Sequence, residues 1–438
     1  MRLRLSAVAG ATGGELVGPD VEADGAAIDS RLVRGGELFV PLVGARDGHD
    51  FVPVALATGA AATLSARGPF DGPTVVVDDT LVALHDLARH ARSRLPDQVV
   101  GITGSVGKTT VKDLLVAALG QRWRTAATSG NQNNEIGVPL TLLAAPDTTE
   151  AVVVEMGACA AGDLRLLSAL ARPAIGVVTS VGMAHTETFG SVEEVARAKA
   201  ELVQCLPPSG TAVLNADDPR VAAMSGATPA SVVTFGIGAA ADVTATEVVL
   251  DDALRASFRL RSPWGEAEVR LAVAGRHQVG NALAAATAAL VTGVEAGDVA
   301  AGLARATLSP WRMALGRSPT GALVLDDAYN ANPLSMASAL RALADLPVTR
   351  RIAVLGTMAE LGAVSAREHQ VAAWLAAELG IRVVAVAEPR YGTEMVNDVD
   401  EALAVLGEMG TGDAVLVKGS RVAGLERLAA RLRHEPPP

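Results

Sequence analysis

Residues 98–110 read QVVGITGSVGKTT, and this stretch indicates the kind of domain in which it lies. The strand-like run QVV leads into a glycine-rich turn, and a helix is predicted from Thr109. Glycines allow backbone N–H groups to approach phosphate oxygens, and the start of a helix attracts an anion. In such a turn Lys108 spans the phosphates and Thr109 can bind Mg²⁺. The common phosphate-loop motif has a glycine where Ile102 stands, and here Gly104 takes that part.

The residues that follow this turn alternate between apolar runs and helical patterns. AVVVEM (151–156) and AIGVVTSV (174–181) are two of the runs, and each precedes a predicted helix. Buried apolar strands that alternate with helices are typical of a parallel α/β sheet. An antiparallel stretch is predicted over Asp242–Val273, and an Ala-rich helix is predicted to begin near Gln278.

Two more segments flank this one. The first contains short strand-like runs separated by Gly and Asp turns, and it ends with a helical pattern over Leu81–Leu95. The last contains four apolar runs that indicate a second, smaller doubly wound sheet. We therefore expect an α/β fold of three domains, in which a central phosphate-loop domain with a parallel sheet lies between an N-terminal α/β domain and a C-terminal Rossmann-like domain. The predicted domains are residues 1–96, 97–307 and 308–438.

The composition limits the classes of function. Of the 438 residues, 50% are hydrophobic and 19% are charged, so the chain can bury apolar cores and is not disordered. The net charge of -11 argues against a nucleic-acid partner, since phosphate backbones need a basic surface. The two cysteines, Cys159 and Cys205, form neither a disulfide framework nor a zinc motif, which fits a reducing cytosol. The sequence has no apolar run long enough to predict a transmembrane helix.

Lysine is rare in this chain. Only four of its 37 basic residues are lysines, and they are Lys108, Lys112, Lys199 and Lys418. Codon bias alone could produce that ratio. A lysine nevertheless differs from an arginine as a compact point charge and as a possible amine nucleophile. Each of the four is therefore a candidate for a specific role.

Three polar residues follow or accompany the buried runs of the central segment. Glu155 ends AVVVEM, and an acid at the carboxyl end of a parallel strand lies in the crevice where such folds bind ligands. A carboxylate there can hold Mg²⁺, although a structural acid at a strand end is the alternative. His185 follows the next run, and Lys199 comes fourteen residues later on a predicted helix. Taken singly, a structural histidine and a solvated lysine are the alternatives for these two.

Further candidates lie after residue 274. Asn281 opens a long apolar helix, where it is either a ligand contact or a helix cap. Arg312, in SPWRM, can stabilise the charge of a transferring phosphoryl group, and a surface arginine is the alternative. Asp326 and Asp327 precede a turn bounded by Pro333, a pattern that would suit nucleotide or metal contacts.

Several motifs occur together in an order that resembles the Mur ligase family along nearly the whole chain. They are TGSVGKTT (103–110), EMG (155–157), GRHQVGNALAA (275–285), DDAYNANP (326–333) and KGSR (418–421). The resemblance implies one domain for a UDP-sugar peptide, one for ATP and one for an amine substrate. Three more stretches resemble the branch of the family that joins D-alanyl-D-alanine to UDP-N-acetylmuramoyl-tripeptide. These are SGNQNNEIGVPLTLL (129–143), DAYNANPLSM (327–336) and GTMAELG (356–362).

The resemblance also implies roles for individual residues, with ATP and Mg²⁺ as cofactors and an acyl phosphate as intermediate in peptidoglycan precursor synthesis. The catalytic residues would be Lys108, His185, Lys199 and Arg312. The ATP contacts would be Gly104, Ser105, Gly107, Lys108, Thr109, Thr110, Asn281, Arg312, Asp327 and Asn330. The metal ligands would be Thr109, Glu155, His185 and Lys199, the last as a carbamylated lysine. The substrate contacts would be Ser30, Arg31, Gly48, His49, Asn133, Asn134, Asn332, Lys418 and Ser420.

Two other functions stay open at this point. One is a different ATP-dependent amide ligase of the same superfamily, such as a folylpolyglutamate ligase or a sister Mur ligase. The other is a non-catalytic nucleotide-binding protein with a decayed site. For the ligase we expect a cytoplasmic monomer whose partners are its two substrates, with no nucleic acid and no stable membrane insertion.

Overall fold

The computed structural model describes residues 1–183 and 186–436. Its first domain contains a five-stranded sheet of order β2-β7-β6-β5-β4 and a separate antiparallel pair of β1 with β3. The strands are β1 Arg2–Arg4, β2 Glu15–Val17, β3 Glu22–Asp24, β4 Ala26–Ala27, β5 Leu38–Phe39, β6 Ala62–Ser65 and β7 Thr74–Val76. The helices are α1 Leu5–Thr12, α2 Val52–Thr58 and α3 Thr80–Arg94. The helix predicted over Leu81–Leu95 is therefore confirmed as α3, and the Asp79 side chain caps its first backbone N–H groups.

The second domain contains a nine-stranded sheet of order β16-β15-β14-β13-β12-β11-β8-β10-β9. The strands are β8 Val99–Thr103, β9 Thr125–Ala127, β10 Ala151–Glu155, β11 Ile175–Val178, β12 Thr211–Asn215, β13 Ser231–Gly236, β14 Val243–Leu250, β15 Arg255–Ser262 and β16 Gly265–Ala274. The helices are α4 Lys108–Leu119, α5 Gly137–Ala144, α6 Asp163–Ala171, α7 Thr186–Phe189, α8 Val192–Gln204, α9 Pro219–Ala222, α10 Gln278–Val291 and α11 Ala296–Leu303. Strands β8 to β14 run parallel to their neighbours, and β14, β15 and β16 pair antiparallel, as the sequence predicts.

In the order β11-β8-β10-β9, the connection after β8 leads to β9 on one side, whereas the connection after β10 leads to β11 on the other side. This is the kind of switch point at which parallel α/β sheets bind ligands. The side chains of Val99, Val100 and Ile102 are fully buried there. Burial of each such side chain contributes about 1.5–3 kcal/mol, which keeps the end of the strand and the following loop in place.

The third domain contains a six-stranded sheet of order β17-β18-β22-β19-β20-β21. The strands are β17 Ala314–Arg317, β18 Leu323–Asp327, β19 Arg350–Leu355, β20 Arg382–Val386, β21 Glu394–Val396 and β22 Asp413–Lys418. The helices are α12 Pro333–Asp345, α13 Ser365–Glu378, α14 Val399–Leu406 and α15 Glu426–Arg433. The four predicted buried strands are β18, β19, β20 and β22, and the sequence reading did not foresee the edge strands β17 and β21. The α/β fold of three domains is confirmed, whereas the boundaries at residues 96 and 307 stay predictions.

The third domain closes over the loop that follows β8. Asn332 Nδ2 donates a hydrogen bond to the backbone carbonyl of Ser105 at 3.4 Å. A Cβ at Gly182 would lie 2.1 Å from Leu334 Cδ1, so the third domain packs closely against the second. Among the described residues, no helix combines the length and the apolar character that crossing a membrane requires.

Candidate active site

A cleft of about 410 Å³ lies where the carboxyl ends of β8, β10 and β11 face the third domain. It brings together most of the predicted site residues, although they come from distant parts of the chain. The predicted residues that line it are Ser105, Gly107, Lys108, Thr109, Thr110, Asn133, Glu155, Lys199, Asn281, Arg312, Asp327, Asn330, Asn332 and Lys418. The cleft is therefore the candidate active site.

Two glycines of the loop after β8 permit contacts that a side chain would prevent. Gly104 has φ 150°, and a Cβ there would lie 2.0 Å from Thr179 Oγ1. Gly107 has φ 86°, and a Cβ there would lie 2.5 Å from Asn281 Oδ1. Both positions therefore require glycine. The Lys108 ammonium donates a hydrogen bond to the Gly104 carbonyl at 2.6 Å, which keeps the charge at the loop.

Glu155 ends β10 with its side chain 2% exposed. Oε1 accepts a hydrogen bond from Asn133 Nδ2 at 2.8 Å, and the backbone N–H of Glu155 donates to Thr128 Oγ1 at 3.0 Å. Oε2 is buried without a hydrogen-bond partner among the described residues. A buried carboxylate oxygen without a partner is costly, so this atom calls for a cation or a ligand.

Lys199 lies on α8 and is 2% exposed. Burial lowers the pKa of its amine to about 7, and the nearby positive charge of Lys108 acts in the same direction. Burial also lowers the pKa of Lys108, while the carboxylate of Glu155 opposes that change. A large share of Lys199 is therefore neutral near physiological pH, and only a neutral amine can form a carbamate.

Arg312 reaches from the linker after α11 to the phosphate loop. Its Nη2 donates a hydrogen bond to Thr109 Oγ1 at 3.1 Å, and its guanidinium carbon lies 4.0 Å from the centroid of the Tyr329 ring. Both chain neighbours have left-handed backbones, with φ 58° at Trp311 and φ 52° at Met313. Such a conformation costs on the order of 1–3 kcal/mol for a non-glycine residue and is concentrated at functional sites.

Asp327 and Lys418 form an ion pair at the wall of the cleft that the third domain provides. Lys418 Nζ lies 2.5 Å from Asp327 Oδ2 and donates to the backbone carbonyl of Asn330 at 2.9 Å. Lys418 is 1% exposed, so the pair holds the turn that follows β18. His277 lines the same wall, and burial lowers its pKa to about 4, so its ring is neutral at pH 7. The remaining lysine, Lys112, is also buried and donates to the Thr128 carbonyl at 3.1 Å.

Some predicted residues lie away from the cleft lining. Asn134 caps α5, since its Oδ1 accepts from the backbone N–H of Gly137 at 3.0 Å. Ser420 Oγ accepts from the backbone N–H of Ala359 at 3.0 Å, and it thereby supports the GTMAELG loop. Gly104 is not among the residues that line the cleft, and His185 lies outside the described residues.

The four predicted nucleotide-sugar contacts are all in the first domain. Ser30 is buried, whereas Arg31 is exposed and its guanidinium pairs with Asp29 at 2.6 Å. The His49 ring is buried, with Nδ1 donating to Asp47 at 2.6 Å and Nε2 accepting from the backbone N–H of Ala66 at 3.0 Å. Gly48 packs against the backbone of residue 42. Of these side chains, Arg31 alone presents a charged group to solvent.

The cleft is also lined by residues that the sequence did not identify as site residues, and Tyr329, Asn215 and Thr179 are three of them. Tyr329 lies inside the DAYNANP segment, so its position was a usable signal. Asn215 ends β12, a buried parallel strand, just as Glu155 ends β10, so its position was also a usable signal. Its Nδ2 donates to the backbone carbonyl of Thr179 at 2.8 Å, and it therefore supports the segment after β11. Thr179 carried no local signal.

The oxygen atoms of the cleft fit a magnesium ion. Mg²⁺ prefers carboxylate, hydroxyl, phosphate and water oxygens, and Glu155 Oε2 and Thr109 Oγ1 are of this kind. In residues 1–183 and 186–436, no three His, Cys, Asp or Glu side chains come close enough to hold a metal by themselves. Glu155 Oε2 and Thr109 Oγ1 therefore suit an ion that takes its remaining ligands from water and phosphate oxygens.

With this fold and this cleft, the chain belongs to the Mur ligase family. Residues 102–289 match the Mur ligase middle domain, and residues 311–421 match the Mur ligase, glutamate ligase domain. The UDP-N-acetylmuramoyl-tripeptide--D-alanyl-D-alanine ligase of Mycobacterium tuberculosis is 41% identical to the chain over 464 aligned positions, which cover 92% of this chain and 91% of that protein.

Two solved structures agree with this assignment. A crystal structure of MurF from Acinetobacter baumannii is 32% identical, with a TM-score of 0.90 over 99% of both chains. The MurF ligase of Thermotoga maritima, solved in complex with ADP, is 28% identical, with a TM-score of 0.83 over 94% of this chain and 98% of that one.

Proposed function

We propose that the chain is an ATP-dependent ligase that joins D-alanyl-D-alanine to UDP-N-acetylmuramoyl-tripeptide and releases ADP and phosphate. One observation carries the chemistry: the phosphate loop, the unpaired carboxylate oxygen of Glu155 and the buried amine of Lys199 belong to a single cleft. The substrates are those in the name of the relative that is 41% identical over nine-tenths of the chain.

The reaction needs activation because a carboxylate is a poor acyl donor. In the first step, a carboxylate oxygen of UDP-N-acetylmuramoyl-tripeptide attacks the γ-phosphorus of ATP, and ADP leaves. The amine nitrogen of D-alanyl-D-alanine then attacks the carbonyl carbon of this acyl phosphate. The amine gives up a proton, phosphate departs, and an amide bond remains. The enzyme contributes mainly by positioning the reactants and by stabilising the negative charge that gathers on the phosphoryl oxygens.

The residues of the cleft take the following parts in this proposal. The Lys108 ammonium and the backbone N–H groups of the loop bind phosphate oxygens. The Arg312 guanidinium stabilises charge on the transferred group. Thr109 and Glu155 would hold Mg²⁺ with Lys199 as a carbamate, and a bound Mg²⁺ would neutralise phosphate charge. The first domain would bind the uridine nucleotide near Ser30, Arg31, Gly48 and His49, and the third domain would bind the amine substrate.

We also propose that the enzyme is a cytoplasmic monomer. ATP and a UDP-activated precursor are both cytoplasmic metabolites. A single chain provides every described residue of the cleft, so the chemistry requires no second copy. Light scattering at micromolar concentration measures the oligomeric state, and a stable dimer would contradict this part of the proposal.

The decisive experiment measures ADP release from ATP and Mg²⁺ with each substrate alone and with both together. We expect turnover only when UDP-N-acetylmuramoyl-tripeptide and D-alanyl-D-alanine are both present, and a product larger by the dipeptide in mass spectrometry. Parallel reactions replace both substrates, either with UDP-N-acetylmuramoyl-L-alanyl-D-glutamate and diaminopimelate or with a folate and glutamate. Faster turnover in those reactions would favour a sister ligase, and ATP binding without any turnover would favour a non-catalytic protein.

A further inference from the structure

The guanidinium of Arg312 is only partly satisfied by hydrogen bonds. Its Nη2 donates to Thr109 Oγ1 at 3.1 Å, whereas its Nε is buried without a hydrogen-bond partner among the described residues. The face of the Tyr329 ring lies over the same group, 4.0 Å from the guanidinium carbon to the ring centroid. A cation over an aromatic face at this distance is attracted by the ring quadrupole, and the attraction grows when water is excluded. The ring therefore stabilises the charge of a guanidinium whose Nε has no hydrogen-bond partner among the described residues.

The Tyr329 ring is itself held in place. The backbone N–H of Tyr329 donates to the Trp311 carbonyl at 3.3 Å. The Trp311 and Tyr329 rings stack with their centroids 6.4 Å apart and an interplanar angle of 20°. Arg421 lies over the Trp311 ring, 4.3 Å from its centroid. Two arginines and two aromatic rings thus belong to one stack, and the member that reaches the phosphate loop is Arg312.

The linker that carries Arg312 is tied to the helix of the phosphate loop at two points. The backbone N–H of Ser309 donates to Asp113 Oδ2 at 2.7 Å, and Arg312 bonds to Thr109, one turn earlier on α4. Trp311 and Met313, the residues on either side of Arg312 in the sequence, have left-handed backbones. This backbone points the Arg312 side chain at the loop, but the long side chain still has its own rotatable bonds. The Tyr329 ring restricts those bonds.

We propose that Tyr329 is a positioning residue for Arg312: its ring face holds the guanidinium over the phosphate loop in the orientation that the phosphoryl group requires. The inference rests on the proposed function, since it takes Arg312 as the group that stabilises the transferred phosphoryl charge. The tyrosine hydroxyl has no part in it, because the contact uses the ring face.

The test compares variants that keep the ring with variants that remove it. Tyr329→Phe keeps the face, whereas Tyr329→Leu and Tyr329→Met keep much of the volume and remove the face. We expect Tyr329→Phe to hold kcat within about twofold, and the other two to lower kcat about tenfold per folded enzyme while KM for D-alanyl-D-alanine stays within about twofold. Trp374→Leu, which removes an exposed aromatic ring of the same domain, is the matched control and should change neither constant.

Arg312→Ala and calorimetric ATP binding separate this inference from the proposed function. If Arg312→Ala loses nearly all activity while Tyr329→Leu keeps the wild-type kcat, the inference is wrong and the ligase assignment stands. If Tyr329→Phe is as slow as Tyr329→Leu, the hydroxyl matters and the inference is also wrong. If the wild type does not ligate, the proposed function fails, and ATP affinity then tests the inference. Weaker ATP binding by Tyr329→Leu and not by Tyr329→Phe would support it, and equal binding by both would overturn it.

Discussion

Polar and charged groups have different surroundings in two regions of the molecule. One region is the cleft between the second and third domains, and the other is the predicted nucleotide-sugar site of the first domain. In the cleft, Glu155 keeps a buried oxygen without a partner among the described residues, and burial holds the pKa of Lys199 near 7. In the first domain, Arg31 pairs with Asp29, and both ring nitrogens of His49 have partners. The cleft thus keeps Glu155 and Lys199 buried without full compensation, although Asp327 and Lys418 are paired there, whereas the polar groups of the first-domain site already have partners.

The difference indicates what each region does. Burial of an uncompensated charge destabilises a fold, so such groups persist where a ligand or a reaction uses them. A compensated and exposed pair can exchange one partner for a ligand at little cost, which suits binding rather than chemistry. We therefore expect substitutions in the cleft to act on kcat and substitutions in the first domain to act on KM.

The largest effect is expected from Lys108→Ala. Loss of a charge that contacts the transferring phosphoryl group costs about a hundredfold or more in kcat. The fold should persist, since within the described residues the side-chain amine donates its hydrogen bond to the Gly104 carbonyl alone. Steady-state ADP release gives kcat, and circular dichroism with a melting curve verifies folding. A folded variant that retains more than about a tenth of the wild-type rate would remove Lys108 from the chemistry.

Substitution of Lys199 should also lower kcat strongly, and small carboxylates should partly restore the activity of one variant. An unmodified ammonium beside a metal ion would be repelled, and a carbamate would remove that repulsion and supply oxygens. Lys199→Ala and Lys199→Arg are both expected to lose nearly all activity, because arginine keeps its charge and cannot be carbamylated. Added acetate or formate should partly restore Lys199→Ala and leave Lys199→Arg inactive. Wild-type turnover by Lys199→Arg would show that the amine is an ordinary helix residue.

A smaller effect is expected from Arg31→Ala in the first domain. Removal of one charge-assisted contact to a nucleotide should raise KM for the UDP substrate about tenfold and leave kcat unchanged. Arg4→Ala is the matched control, since Arg4 is another exposed arginine beside an aspartate of the same domain. His49→Ala should instead lower the melting temperature, because the ring bonds to Asp47 and Ala66. A fall in kcat for Arg31→Ala would break the division between the two regions.

The smallest effect concerns stability rather than rate. The pKa of Lys199 is about 7 in the folded protein against an ordinary value of 10.5, so between these pH values the unfolded chain holds a proton that the folded chain lacks. The free energy of unfolding therefore rises with pH across this window, and the cost of the buried amine is complete below pH 7. Lys199→Met should melt a few degrees higher than the wild type at pH 6, and the gap should shrink toward pH 10.

The control for that measurement is Lys112→Met. All melting curves, including those of the wild type and Lys199→Met, are recorded without metal, nucleotide or added bicarbonate. Lys112 is also buried, but its amine bonds to Thr128 and pairs with Asp113 at 3.1 Å. Its loss should lower the melting temperature at every pH. A Lys199→Met variant that melts below the wild type at pH 6 would mean that the amine is stabilised in the folded protein.

The sequence predicts the parts of this molecule whose signals are local. Strands such as β8 and β10 are short runs of buried residues, and the helix after the phosphate loop begins one residue from the predicted position. Strands β17 and β21 went unpredicted because they are short edge strands, and between them only one residue is buried. The pair of Lys418 with Asp327 joins residues 91 positions apart, and no local pattern reports such a contact. The stack of Tyr329 on Arg312 was missed for the same reason.

The burial of the lysines has a practical consequence for labelling. Lys112, Lys199 and Lys418 are buried, and the remaining lysine, Lys108, is partly accessible and lines the cleft. Amine-directed reagents therefore find no fully exposed lysine on this protein, and random surface coupling through lysine would be inefficient. A small amine-reactive fluorophore would instead report on the cleft, and its attachment to Lys108 would slow when a nucleotide occupies the phosphate loop.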